Sequence, residues 1–148
     1  MRPESTGTIH IKANDVRQQP AINFNFLATE TDRRCTIDSI HITRNLVNAK
    51  ALDGIRGDEY KPGAKVETDD EILDWVGRTA ETAYHPVGTC KMGSDPMAVV
   101  DERLRVNGVQ GLRVADASIM PQVTGGNTNA PSMMIGERAA ALIQRGSG

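Results

Sequence analysis

Three short stretches of the 148-residue chain carry side chains whose type and spacing could do chemistry. The first is TAYHPVGTCKMG (82–93), in which His85 stands directly before Pro86 and is followed by Gly88, Cys90, Lys91 and Gly93. Proline pushes the residue before it out of helical geometry, so a loop rather than a helix ladder sets the direction of the imidazole. Imidazole is the side chain most often used for general acid–base chemistry near neutral pH. The plainer alternative is a histidine that only completes a local hydrogen bond.

The second stretch is GGNTNAP (125–131), which opens a helical run. A helix N-terminus presents unpaired N–H groups and the positive end of the helix dipole. Glycines ahead of it let a ligand approach the backbone, so the place suits a phosphate or an anionic cofactor ring. Without a ligand, Asn127 and Asn129 are simply turn and cap residues, with Asn129 the expected N-cap and Pro131 in the first turn. The third is Asp116, directly after LRVA (112–115). A carboxylate at the end of a strand can meet cofactor hydroxyls in α/β proteins, where ligands bind beyond the carboxyl ends of strands. The same residue in a surface turn is the alternative.

A metal site would pair His85 with Cys90, drawing on Cys35, His10 or His41. Zinc ligands ordinarily come in pairs at short spacing, and no such pair occurs in the sequence, so no metal is expected. Cys90, between glycines, reads better as a small packing residue.

Several elements must hold these stretches in place. GTIHIKA (7–13) alternates Ile9, Ile11 and Ala13 against Thr8, His10 and Lys12, the period of a half-buried strand, with His10 on its polar side. Ile22, Phe24 and Phe26 alternate with Asn23 and Asn25 in a second short strand after Pro20. A helix is expected from about Thr29 to Ala51, opened by Thr29 with Asp32, with Ile37, Ile40, Val47, Ile42, Leu46 and Ala49 on a broad apolar stripe. DGIRGDEYKPGAK (53–65) is a loop by its Gly, Asp and Pro content. Thr68 with Glu71 forms a cleaner capping box for a helix bearing Ile72, Trp75, Val76, Thr79 and Ala80 and ending near Thr82. Asn-Gly and Gln-Gly turns punctuate 98–121, where GLRVADAS (111–118) reads as a buried strand ending at Asp116. A last helix runs to about Arg145, and RGSG (145–148) reads as a flexible tail or an expression scar.

Composition narrows the function classes. Seventeen basic and nineteen acidic residues give a net charge of −2, which removes any general electrostatic case for nucleic acid or anionic membranes. Two cysteines make no disulfide framework, and no apolar run reaches membrane-spanning length. The expectation is a reduced, soluble, cytoplasmic domain whose core relies on Ile, Val, Leu, Met and Ala, because aromatics make up only 3%.

The order of the motifs says more than each alone. YHPVGTCKMG, then VVDERLRVNGVQGLRVADASIMP, then GGNTNAPSMMIGERAAALI resembles the C-terminal region of the glucose-methanol-choline (GMC) flavoprotein oxidoreductases. The wording is most similar to its bacterial choline dehydrogenases and acceptor-dependent alcohol dehydrogenases, and RPESTGTIHIKAND is similar to the start of that region. The resemblance thus covers nearly the whole chain. It implies an α+β fold: the substrate-binding C-terminal region, an antiparallel sheet with flanking helices, plus the last strand and helix of the FAD-binding domain. By the same resemblance His85 is the residue that accepts a proton from, or hydrogen-bonds, the alcohol hydroxyl, and Asn127 helps hold the substrate oxygen. Asp116 and Ala117 match the segment meeting the ribityl–pyrophosphate part of FAD, and Asn127 and Thr128 match the turn beside the flavin ring. The implied reaction is oxidation of a primary alcohol to an aldehyde, the proton going to a base and hydride to flavin N5.

Such proteins carry a G-x-G-x-x-G dinucleotide fold, and no such fingerprint follows a strand in residues 1–148. The expectation is therefore a C-terminal piece that lacks the N-terminal FAD-binding Rossmann part, retains no FAD by itself and does not oxidise alcohols alone. Its expected partners are that missing domain, a small alcohol and a quinone-type electron acceptor. The whole enzyme would be cytoplasmic or peripheral to the inner membrane. Apolar surface on VADASIMP and the last helix, bared without the missing domain, would drive self-association. A stand-alone binding or assembly module that keeps the fold without FAD is the alternative from another class.

Overall fold

The computed structural model describes residues 2–145, so the expectation for the end of the RGSG tail lies outside the described residues. It is an α+β structure: a two-stranded antiparallel sheet of β1 (Thr8–His10) and β2 (Ala21–Asn23), and three α-helices, α1 (Glu30–Val47), α2 (Asp69–Thr79) and α3 (Asn129–Arg145). Short 3₁₀ turns lie at Lys50–Leu52 and Ala117–Ile119. Among the described residues no helix is long and apolar enough to cross a membrane.

The chain forms two compact units. One, chiefly 23–82, is built on α1 and α2. Thr29 caps α1, its hydroxyl accepting the Asp32 N–H, and Thr68 and Glu71 complete the reciprocal capping box of α2. Ile37, Ile72 and Val76 are the buried centre of this unit, with Leu27, Ile40, Val66, Leu73 and Trp75 packed around them. The expected stripe on α1 is only partly used: Ile42, Leu46 and Val47 stay exposed. The helix also stops earlier than expected, at Val47, and Lys50–Leu52 forms a separate turn. The loop at 53–65 is tied back by Arg44, which pairs with Glu59 at 2.9 Å and donates to the Val66 carbonyl at 2.7 Å.

The other unit, chiefly 8–22 and 83–145, holds all three stretches singled out in the sequence. Its core is Val100, Leu104, Ile119, Met120, Ile135 and Ala139. Ile135, Ala139 and the half-buried Leu142 recur at the i, i+4, i+7 spacing that gives α3 a single buried stripe. The expected strand at 111–118 is not formed. Isolated bridges pair Val100 with Val106 and Arg105 with Arg113, and the segment ends in the 3₁₀ turn. Closely spaced turns, with Gly108 at φ 77° and Gly111 at φ 74°, leave too few residues between them for a ladder. Ile119 and Met120, expected on a bared surface, are buried here; the exposed large apolar residues of α3 are Met133, Met134 and Ile143.

Candidate functional site

Helix α2 ends at Thr79 and its cap, Ala80, is already extended, with ψ 144°. The chain then enters the loop that carries His85. Tyr84 sits at φ 60° and Gly88 at φ 86°, so the histidine is bracketed by two left-handed residues. Glycine takes that conformation freely, whereas for a tyrosine it is uncommon and is the kind of local strain found at functional sites. Beyond His85 the loop is sewn to the 3₁₀ turn: Cys90 N–H donates to the Ser118 carbonyl at 3.0 Å and Met92 N–H to the Ile119 carbonyl at 2.8 Å.

The ring of His85, half-buried, is held from both ends by residues more than forty positions later. Nε2 lies 3.0 Å from Asn127 Oδ1, and Nδ1 lies 3.0 Å from Thr128 Oγ1. An amide oxygen only accepts, so Nε2–H donates to Asn127, and with the ring neutral the Nδ1 lone pair accepts the Thr128 hydroxyl proton. Both partners come from the turn immediately before α3. The Thr128 carbonyl accepts the Ser132 N–H at 3.0 Å, which places Thr128 rather than the expected Asn129 at the cap position.

His85, Asn127 and Thr128, singled out separately in the sequence, are therefore one cluster. Asp116 and Ala117 stand apart from it, on the 3₁₀ turn bonded to the loop after His85. The exposed Asp116 caps that turn, its carboxylate accepting the Ser118 N–H at 2.7 Å, and the Ala117 methyl packs on the core. What Ala117 can offer a ligand is backbone. Cys90 is half-buried in a turn, His41 lies 3.3 Å from Asp69, and His10 is exposed on β1. Among the described residues no group of three or more His, Cys, Asp or Glu could hold a metal ion.

The residues present fit an FAD. The first-turn amides of α3 adjoin the histidine cluster and form a positive site for an anionic ring edge. A Cβ built on Gly126 meets nothing within 4 Å, so the backbone there is open to a flat ring. Asp116 offers a carboxylate that can accept ribityl hydroxyls. What the sequence did not disclose is the use of the Thr128 side chain. Its type suits a helix cap, and nothing in the order N-T-N says that the hydroxyl turns to His85.

The likenesses to known proteins bear on the family and the fold. The family model for the C-terminal part of GMC oxidoreductases matches residues 3–136. Oxygen-dependent choline dehydrogenase of Cronobacter sakazakii is 53% identical over 144 residues, covering 97% of this chain and 26% of that protein. The protein of the same name from Yersinia pseudotuberculosis is 52% identical over 144 residues, covering 97% of this chain and 25% of its own length. The chain thus spans about a quarter of the length of the curated relatives it matches. Among solved structures, pyridoxine 4-oxidase from Mesorbium loti superposes with a TM-score of 0.90 at 34% identity, over 97% of this chain and 28% of that one. An FAD-dependent oxidoreductase from Chaetomium thermophilum gives 0.87 at 28% identity, over 95% of this chain and 25% of that one. With the motifs in order, the α+β fold and a match over residues 3–136, the chain belongs to the GMC oxidoreductase family.

Proposed function

We propose that this chain is the catalytic-histidine lobe of a longer FAD-dependent dehydrogenase that oxidises a primary alcohol, choline or a close analogue, to the aldehyde. The observation that carries the reading is the clamp on His85 by Asn127 and Thr128 beside the N-terminus of α3. FAD, when bound, supplies the hydride acceptor. His85 and Asn127 hold the substrate hydroxyl: with Oδ1 committed to the ring, Asn127 keeps its Nδ2–H₂ group as a donor for the substrate oxygen. His85 accepts the hydroxyl proton at Nε2 in its other neutral tautomer, reached by losing the Nε2 proton to solvent and gaining one at Nδ1, where it is donated to Thr128 Oγ1. Nε2 is then released from Asn127 Oδ1 and faces the substrate hydroxyl. Asp116 and the backbone of Ala117, Asn127 and Thr128 would hold the cofactor.

The partners follow from this reading. An FAD-binding domain completes the site, and without it the chain retains no flavin. A quinone-type molecule takes the electrons onward, with the whole enzyme in the cytoplasm or against the inner membrane. Alone, the chain self-associates through exposed apolar residues such as Met133 and Met134.

The test is a longer protein in which an FAD-binding region precedes these residues, assayed with choline and simple primary alcohols, with His85→Ala as control. Oxidation that collapses in the variant supports the reading, and undiminished turnover removes the role of His85. Absence of any FAD-dependent oxidation would favour a non-catalytic binding module. For the isolated chain, flavin absorbance near one per protein after purification would overturn the expectation of no retained FAD. A clean monomer by sedimentation at high concentration would overturn self-association.

A further inference from the structure

We propose that Thr128 is a positioning residue for His85: its hydroxyl is a reversible partner for Nδ1 that keeps Nε2 aimed at Asn127 whichever nitrogen carries the proton. This rests on the reading of His85 as the residue facing the substrate hydroxyl.

The three α-helices of the structure each begin after a threonine at the cap position. At α1 and α2 the hydroxyls of Thr29 and Thr68 do what that position favours, accepting the N–H of Asp32 and Glu71. At α3 the hydroxyl of Thr128 lies instead 3.0 Å from His85 Nδ1. The carbonyl of Thr128 still opens the helix by accepting the Ser132 N–H, and the Ser132 hydroxyl donates to it as well, at 2.6 Å. The residue is thus fixed by its backbone, and its side chain is turned to the ring.

The chemistry of a hydroxyl suits that place. In the arrangement seen, Thr128 donates to Nδ1 while Nε2–H donates to Asn127 Oδ1. A base working at Nε2 must pass through two other states: Nδ1 protonated with Nε2 bare, then both nitrogens protonated. In each, Nδ1–H needs an acceptor, and a hydroxyl becomes one by rotating about its C–O bond. A backbone amide cannot accept and a carbonyl cannot donate, so either would favour one tautomer and oppose the other. The ring therefore keeps one orientation through its proton cycle.

The test uses the 148-residue chain and needs neither cofactor nor turnover. Imidazole ¹⁵N shifts are recorded for the three histidines with the rings neutral, and His85 is assigned by its loss in His85→Gln. His10, exposed on β1, gives the pattern of a freely averaging ring in the same sample. The expected result is a wider Nδ1–Nε2 separation for His85 than for His10, narrowing toward the His10 value in Thr128→Val, where only the Asn127 contact holds the ring, and kept in Thr128→Ser. A His85 pattern equal to that of His10 in the unaltered chain, or one unmoved by Thr128→Val, overturns the proposal. Should the valine variant not fold, the comparison with His10 and the serine variant still decide it. Failure of the longer protein to oxidise alcohols would remove the enzymatic reading and leave this result standing.

Discussion

Asn127 Oδ1 lies 3.0 Å from Nε2 of His85, a contact that joins residues 42 positions apart and merges two sequence motifs into one site. The amide spends its oxygen on the ring, so its NH₂ group is the donor left for a substrate oxygen. Removing one donor to a developing oxyanion slows turnover by about 10²–10³. Asn127→Ala in the FAD-replete longer protein should lower kcat by that order. Asn127→Asp should be slower than the alanine variant, because it sets a negative charge where an alkoxide develops. Steady-state kinetics of the two variants decide this, and an aspartate variant faster than alanine would refute the donor role.

A pH-dependent prediction comes from the start of α1. Asp32 accepts the N–H of Glu4 at 3.0 Å, the N–H of Ser5 at 2.7 Å and the Ser5 hydroxyl. Burial pushes its carboxyl up, but the Ser5 hydroxyl, the two amides and Thr29 together outweigh it, and the group titrates below its ordinary 3.8. A carboxylate held lower when folded than when unfolded stabilises the fold in full above the unfolded value. That contribution is lost as pH falls through the folded value. Resistance to urea unfolding should therefore fall below about pH 4, and Asp32→Asn should flatten that acid limb. An equally steep acid limb in the variant would show that Asp32 does not produce it.

Much of this was legible in the sequence, for local reasons. Thr68-x-x-Glu71 and Thr29-x-x-Asp32 are short-range signals whose partners lie within one turn. The first closes as a full capping box, whereas at the second the Thr29 hydroxyl caps Asp32 N–H but the Asp32 carboxylate is drawn instead to Glu4 and Ser5. His85 and Asn127 could be singled out by residue type and by resemblance. The strand expected at 111–118 failed because hydrophobic alternation says nothing about whether a neighbour is available to pair with. There the core is filled by Ile119 and Met120 from a 3₁₀ turn instead. The direction of the Thr128 hydroxyl was illegible for a related reason: it depends on a residue 43 positions away, and the local preference pointed to a cap.

Gly88 tests whether the loop after His85 must be left-handed. Its φ is 86°, and a Cβ there would lie 3.4 Å from the Met120 carbonyl oxygen, an ordinary contact. The strain in Gly88→Ala is then conformational rather than steric, about 1–2 kcal/mol. Denaturant unfolding should show a loss of that size, and the His85 imidazole shifts should move toward those of His10. Unchanged stability would mean that the loop can adopt another backbone at no cost.

Ile135 links the core to the site. It is 6% exposed and lies on the buried stripe of α3, seven residues after Thr128, in the cluster that contains Ile119 and Met120. Truncation to alanine removes buried methylene and methyl groups and leaves a cavity that neighbours fill only in part, costing about 2–5 kcal/mol. Because the same helix carries the turn that clamps His85, the loss should not be confined to stability. At denaturant concentrations where the variant is still folded, the His85 Nδ1–Nε2 separation should narrow as the N-terminus of α3 loosens. In contrast, Met133→Ala removes a residue that is 63% exposed, and both stability and the His85 signals should stay within error of the parent chain. A stability loss in Ile135→Ala with His85 unmoved would mean that the clamp is held by the turn itself and not by the packing of the helix behind it.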